Sequence, residues 1–237
     1  MTGKVMTRVA IIAALNREVA PLVHRNNGRY KCDSLSYPKG IDVWTSEDTV
    51  IAIAGMGEGR ASLAFEAALS TGPISEIISA GWAGACLLGQ SVGSVVKPST
   101  IVNARTGERF QCAGGDGSVL ATVASFAGTE EKHRLNATYG ATAVEMEAAT
   151  VARLAQMHGL PFRAIKAISD TSDFDFPEIE RFHTLDGQFR EAAFGAYVML
   201  RPWLWRPVLH MAKGSKLAAE SLCAELRLQV RRKDREI

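Results

Sequence analysis

Residues 144–170 read VEMEAATVARLAQMHGLPFRAIKAISD, and the fold class follows from this stretch. Ala148, Val151, Ala152 and Ala155 recur at three- and four-residue spacing, an apolar stripe of helical period. His158-Gly159 with Pro161 predicts the stop: glycine accepts a left-handed cap and proline cannot continue the ladder. Phe162 to Ile168 then reads as a buried strand ending on Ser169-Asp170. Glu147 stands where a strand hands over to the helix, and Asp170 stands beyond a strand's C-terminal end. Ligands bind at the carboxyl ends of strands in α/β sheets, so this is the place to look for chemistry.

Working outward, the 237 residues suit one α/β domain or two small ones. Neither repeats nor a low-complexity linker divide the chain, so residues 1–237 are read as one domain with a helical tail from about residue 189. Hydrophobic content of 47% and charged content of 22% are those of a globular protein with a sizeable core. Lys+Arg 27 against Asp+Glu 25 gives a net charge of +2, which implies no general affinity for nucleic acid. Cys32, Cys86, Cys112 and Cys223 lie far apart with no CxxC pair, pointing to reduced thiols in the cytoplasm and to no zinc site. Lys4 and Arg8 before VAIIAAL resemble a signal peptide, but Asn16-Arg17-Glu18 follows at once without a cleavage site. No stretch approaches the ~20 apolar residues of a membrane span.

Val9 to Leu15 is a near-continuous apolar run, as expected of a strand covered on both faces. Asn16 is placed to cap the next helix, with Glu18 in its first turn, where the helix dipole alone would favour a carboxylate. Tyr30 to Ser36, Ile41 to Thr45 and Thr49 to Ala54 read as a strand meander broken by turn residues. Gly55-Met56-Gly57-Glu58-Gly59 leads into a helix over Arg60 to Leu69. Backbone N–H groups of such a loop can meet an anion, which makes Gly57 and Arg60 candidates for phosphate, against a plain tight turn and a solvated arginine. Ile77 to Ser79 is a further buried strand, followed by the small-residue segment Ala80-Gly81-Trp82-Ala83-Gly84-Ala85. Ser91 to Val102 and Leu120 to Ala124 read as strand regions, and Glu130 to Arg134 as an exposed helix start. Beyond Asp170, which could equally cap the next element, lies an acidic, turn-rich segment. The helical tail is interrupted by Arg201-Pro202-Trp203-Leu204-Trp205-Arg206-Pro207, whose basic and indole groups suit a membrane interface, a dimer contact or a packed helix.

VEMEAA followed some twenty residues later by AISD resembles the nucleoside phosphorylase/nucleosidase superfamily, most closely its methylthioadenosine/adenosylhomocysteine nucleosidases. The likeness extends from residue 8 to about 175: the turn AALNREVAPLV is similar to the nucleosidase version, and Val92 to Val96 fits a segment of the family. The resemblance implies a three-layer αβα domain with a twisted mixed sheet, a homodimer, and a small purine nucleoside as ligand. It implies Glu18 as activator of the attacking water and Asp170 as acid to the leaving base. Glu147 would then bind the ribose hydroxyls, with Met146 against the sugar, Gly81, Trp82 and Ser169 near the reacting centre, and Phe126 stacked on the purine. An acid role would require burial or a neighbouring carboxylate to keep Asp170 protonated. Trp82 departs from the serine common in the family at that place.

Two carboxyls flanking a sugar, one acid and one activating water, follow the logic of an inverting glycosidase. No cofactor is implied, although inorganic phosphate would be a cosubstrate if the reaction were phosphorolysis. The first turn, and the absence of an arginine just before Gly81, speak against that; Arg17 and Arg60 keep it open. Trp82, the short middle region and the tail LDGQF…RPWLWRPVLHMAKGSKLA also resemble the hopanoid-associated branch, implying adenine removal from a lipid-linked nucleoside, adenosylhopane, and peripheral membrane contact. Binding without turnover is the third reading.

Overall fold

In the computed structural model, residues 7–24, 29–33, 36–175, 181–182 and 191–233 are described. In chain order they form β1 (Arg8–Ala13), α1 (Asn16–His24), β2 (Lys31–Cys32), β3 (Asp42–Thr45), β4 (Thr49–Ile53), α2 (Glu58–Ser70) and β5 (Ile74–Ala85). Then come β6 (Val95–Val96), β7 (Thr100–Asn103), β8 (Arg109–Gln111), β9 (Val119–Thr122), α3 (Thr129–Tyr139), β10 (Ala143–Glu145), α4 (Ala148–Met157) and β11 (Phe162–Asp170). The tail is α5 (Glu191–Met199), a 3-10 turn (Pro202–Leu204) and α6 (Trp205–Lys233).

The strands join one mixed sheet, in the order β2-β3-β4-β1-β5-β10-β9-β7-β8, with β11 paired to β5 and β6 to β11. The alternation of β1 explains the layering. Ala10 and Ile12 pack with Ala61, Ala64 and Phe65 of α2 and with α4. Val9, Ile11 and Ala13 pack on the other face with Val19 and Leu22 of α1 and Ala218, Leu222 and Leu226 of α6. Successive side chains of a strand point to opposite faces, so a strand covered twice is apolar on both, as β1 is from Val9 to Ala13. The three-layer αβα fold with a mixed sheet is therefore the one expected.

Several boundaries differ from the sequence expectation. Ala80–Ala85 is not a loop after a short strand but the second half of the 12-residue β5. Small residues let this half stay paired: its backbone meets β11 as far as Gly84, and β10 at Gly84 and Ala85. One strand thus links the two halves of the sheet and passes through the site. Asp170 is the last residue of β11 rather than a residue beyond it. Ser91–Val102 holds two short strands instead of one, and β8, which carries no apolar run, is additional. Positions 34–35 of the expected Tyr30–Ser36 strand and the Leu185–Phe189 segment lie outside the described residues.

Candidate active site

The C-terminal ends of β1, β5, β10 and β11 open onto one cavity of about 950 Å³, walled on the far side by α6. This is within the usual size range of small-molecule sites. Glu18, Trp82, Phe126, Met146, Glu147, Ser169 and Asp170, separated by up to 152 positions in sequence, all line it. Gly81 stands behind Glu18, Gly57 reaches the site only through its N–H to Glu147, and neither Gly57 nor Arg60 in the first turn of α2 is part of the cavity wall.

Glu18 is buried and folds back on the turn that carries it. Its Oε2 accepts from the N–H groups of Ala14 (3.1 Å) and Leu15 (2.9 Å), and its Oε1 from Trp82 N–H (3.0 Å). The expected cap residue does something else, because the Asn16 amide donates to Asp42 (2.5 Å). The approach of β5 needs glycine: Gly81 has φ 150°, and a Cβ there would lie 3.0 Å from Glu18 Oε1. Burial pushes the Glu18 carboxyl above its ordinary pKa, against the N–H groups of Leu15 and Trp82 and the Lys166 charge. A carboxyl held that way is suited to take a proton from water.

Glu147 projects from the β10–α4 junction, and its Oε1 accepts from Gly57 N–H (2.7 Å). The glycine loop's amide therefore meets a carboxylate of the chain itself. Burial and the like charge of Glu145 push the Glu147 carboxyl up to about 8, against Lys166 and the Gly57 N–H.

Beneath these two groups lies an ion pair that the sequence reading did not single out. Lys166 Nζ is 3.0 Å from Glu145 Oε2, and both side chains are almost fully buried. Glu145 also accepts from Thr122 Oγ1 (2.6 Å) and from the N–H groups of Glu147 (3.0 Å) and Ala148 (2.9 Å), so it caps α4. Burial pulls the Lys166 ammonium down, but Glu145, Glu147 and Glu18 outweigh it and hold its pKa above the ordinary value. The sequence did carry a signal here, since Lys166 interrupts the apolar run of a strand buried on both faces, where an unpaired lysine is almost never found.

At the other end of the cavity, Asp170 Oδ1 accepts from Ser169 Oγ (2.6 Å), and Oδ2 lies 2.5 Å from Lys132 Nζ. The expectation of an exposed start to α3 is wrong for Lys132, whose side chain is 1% exposed. Its ammonium has three N–H bonds and meets three acceptors: Asp170, Thr171 O (2.9 Å) and Phe174 O (3.1 Å). Asp170 is thus not spent as a helix cap, and its neighbour is a cation rather than the carboxylate that was one of the two ways to keep it protonated. Nothing in the run EEKHR distinguishes this lysine from a solvated one.

Trp82 gives its backbone N–H to Glu18, and the Arg17 guanidinium sits over its indole at 5.3 Å from the ring centroid. Phe126 stands in the segment between β9 and α3, and Met146 between the two carboxylates of β10 and α4. Among the described residues no group of three or more His, Cys, Asp or Glu side chains is arranged to hold a metal ion. Among them, too, no helix is long and apolar enough to cross a membrane.

The sequence model of the Phosphorylase superfamily matches residues 104–196, which include Glu145, Met146, Glu147 and Asp170. No curated protein matches the chain by sequence. Among solved structures, the 5′-methylthioadenosine/S-adenosylhomocysteine nucleosidase of Helicobacter pylori is similar over 97% of this chain and 100% of its own, at a TM-score of 0.72 and 15% identity. The corresponding nucleosidase of Neisseria meningitidis, bound to methylthio-immucillin-A, is similar over 92% of this chain and 95% of its own (TM-score 0.68, 19% identity). Futalosine hydrolase of Helicobacter pylori is similar over 92% and 96% (TM-score 0.66, 15% identity). At these identities the likeness is one of fold.

Proposed function

We propose that this chain hydrolyses the N-glycosidic bond of an adenine nucleoside. The observation that carries the reading is the convergence of Glu18, Glu147 and Asp170, from three separate strand ends, on one cavity. Positive charge builds at C1′ as the bond breaks, and Glu147 orients the ribose through its 2′- and 3′-hydroxyls and favours that charge. Glu18, fixed by three N–H groups, takes the proton of the attacking water. Asp170, at the opposite end, serves the purine that leaves, with Phe126 against the ring and Met146 against the sugar. Ser169 holds the Asp170 carboxylate in place. Such acid–base groups contribute on the order of 10²–10⁴-fold each.

Water rather than phosphate is favoured as nucleophile because the Gly57 amide is taken by Glu147 and Arg60 stands outside the cavity wall. The similar solved structures are those of nucleosidases and a hydrolase, which supports the same reading. For the 5′ substituent, the α6 wall supplies Val208, Met211 and Ala219, which suits an apolar group such as methylthio. A lipid-linked nucleoside such as adenosylhopane is the second reading. It is favoured by Leu200, Trp203, Trp205 and Leu209, exposed beside that wall with Arg206 among them. Such a rim of indoles and bases suits peripheral contact with a bilayer. The homodimer implied by the resemblance is part of the proposal, and light scattering tests it.

The test is adenine release, followed by chromatography, from methylthioadenosine, adenosylhomocysteine and a 5′-alkyl adenosine, with and without phosphate. Phosphate-independent release with free ribose product is expected. Ribose 1-phosphate would establish phosphorolysis, and tight binding without release would establish a binding protein.

A further inference from the structure

The Lys132–Asp170 pair stands outside what the sequence accounts for, and its surroundings are built for it. A Cβ at Gly84 of β5 would lie 2.9 Å from Asp170 Oδ2 and 3.0 Å from Lys132 Cε, so this strand is stripped to backbone where the pair sits. Lys132 and Asp170 both line the cavity. Burying an ion pair seldom adds stability over apolar residues of the same volume, so a purely structural reason for a 1%-exposed lysine here is weak. The lysine also cannot swing out to the ligand, because Asp170, Thr171 O and Phe174 O hold all three of its N–H bonds.

We infer that Lys132 is a positioning residue that stores the proton needed by the leaving base and delivers it through Asp170. This rests on the nucleosidase reading above. When the C1′–N9 bond breaks, its electron pair stays with the purine, whose N7 takes a proton from the Asp170 carboxyl. Asp170 has received that proton from Lys132 Nζ across the 2.5 Å contact, leaving a neutral amine. The attacking water gives its hydroxyl to C1′ and its other proton to Glu18. After product release that proton returns to Lys132 through solvent, so the cycle consumes one water and no net proton.

The experiment compares two substrates in the full chain: methylthioadenosine, whose base needs a proton to leave, and 4-nitrophenyl riboside, whose phenolate does not. Lys132→Met is expected to lower kcat on the nucleoside by on the order of 10²–10³-fold, and turnover of the nitrophenyl substrate by less than about tenfold, which also reports an intact fold. Lys132→Arg keeps the charge but cannot give up a proton, and is expected to stay as slow on the nucleoside as Lys132→Met. Equal losses on both substrates, or recovery by arginine, would overturn the proton-storing role and leave the nucleosidase reading standing. A wild-type chain that turns over neither substrate would overturn both.

Discussion

Glu147→Gln separates stability from function in a way that the geometry makes quantitative. The native carboxyl titrates near 8, raised by burial and by Glu145, whereas an unfolded glutamate titrates near 4.3. Between those values the native state keeps a proton that the unfolded chain has lost. Stability from this group is therefore fully present below the unfolded value and drains away as pH rises toward 8. The slope is about 1.4 kcal/mol per pH unit, or roughly 2.5 kcal/mol between pH 6 and pH 8 once the rounding near 8 is included. Glutamine is isosteric, keeps an oxygen for the Gly57 N–H, and carries no such dependence. For a chain of 237 residues, 1 kcal/mol is worth about 2–4 °C in Tm. The Tm of Glu147→Gln minus that of the wild type should thus widen by roughly 5–10 °C from pH 6 to pH 8, read by calorimetry in buffers of equal ionic strength. Glu18 and Lys166 are common to both proteins and cancel to first order. A gap that stays constant with pH would show that Glu147 is already ionised at pH 6, and would refute the account of how this site is charged. Above pH 8, where the native carboxyl is ionised, the same variant should turn over nucleoside roughly 10²-fold more slowly, since a neutral amide does not favour the cationic sugar.

Asp170→Asn leaves the buried Lys132 ammonium without its counter-charge, at a cost of about 3–5 kcal/mol; the lost Tm should return when Lys132→Met is added, and no return would mean that the pair is not coupled. Glu18→Gln should lose about 10²–10⁴-fold of hydrolysis in the adenine-release assay, and activity surviving only in phosphate buffer would point to phosphate as the nucleophile. Trp82→Ser should alter KM across 5′ substituents while changing kcat little, because position 82 holds Glu18 through its backbone N–H, which serine keeps; a collapse of kcat would place the indole itself in the chemistry.

The layers of the fold were legible because burial leaves a period: the apolar run of β1 and the stripe of α4 could hardly fold otherwise. The second half of β5 is not legible in the same way, because Gly81 and Gly84 look like loop residues by type. They serve instead to bring a paired strand against Glu18 and Asp170, a long-range demand that no local pattern records. The same divide runs through the site. Glu18, Glu147 and Asp170 stand at strand ends, where position alone makes a carboxylate worth noting. Lys132 sits in a polar run of α3 and is drawn inward only by acceptors on β11 and the turn after it. Its role depends on contacts 38 to 42 positions away, so composition and period are silent about it.

The division of charge between the two ends of the cavity argues for the direction of bond cleavage. Glu18, Glu145 and Glu147 surround the single Lys166 at one end, and Lys132 and Asp170 cancel at the other. An ion pair that merely braced the fold could sit anywhere, whereas here each lysine is paired with a carboxylate that lines the cavity. Burial and Glu145 hold the Glu147 carboxyl up, so the ribose end carries less negative charge than three free carboxylates would, which limits the cost of burying them. As C1′ becomes positive, the carboxyl groups gathered at that end are the ones whose negative charge favours it. At the base end the purine becomes negative, and the Lys132 ammonium paired with Asp170 is the positive charge that the proposed transfer draws on. A site charged this way stabilises a sugar cation beside a departing base anion better than it does the neutral nucleoside, and that difference is what accelerates a reaction.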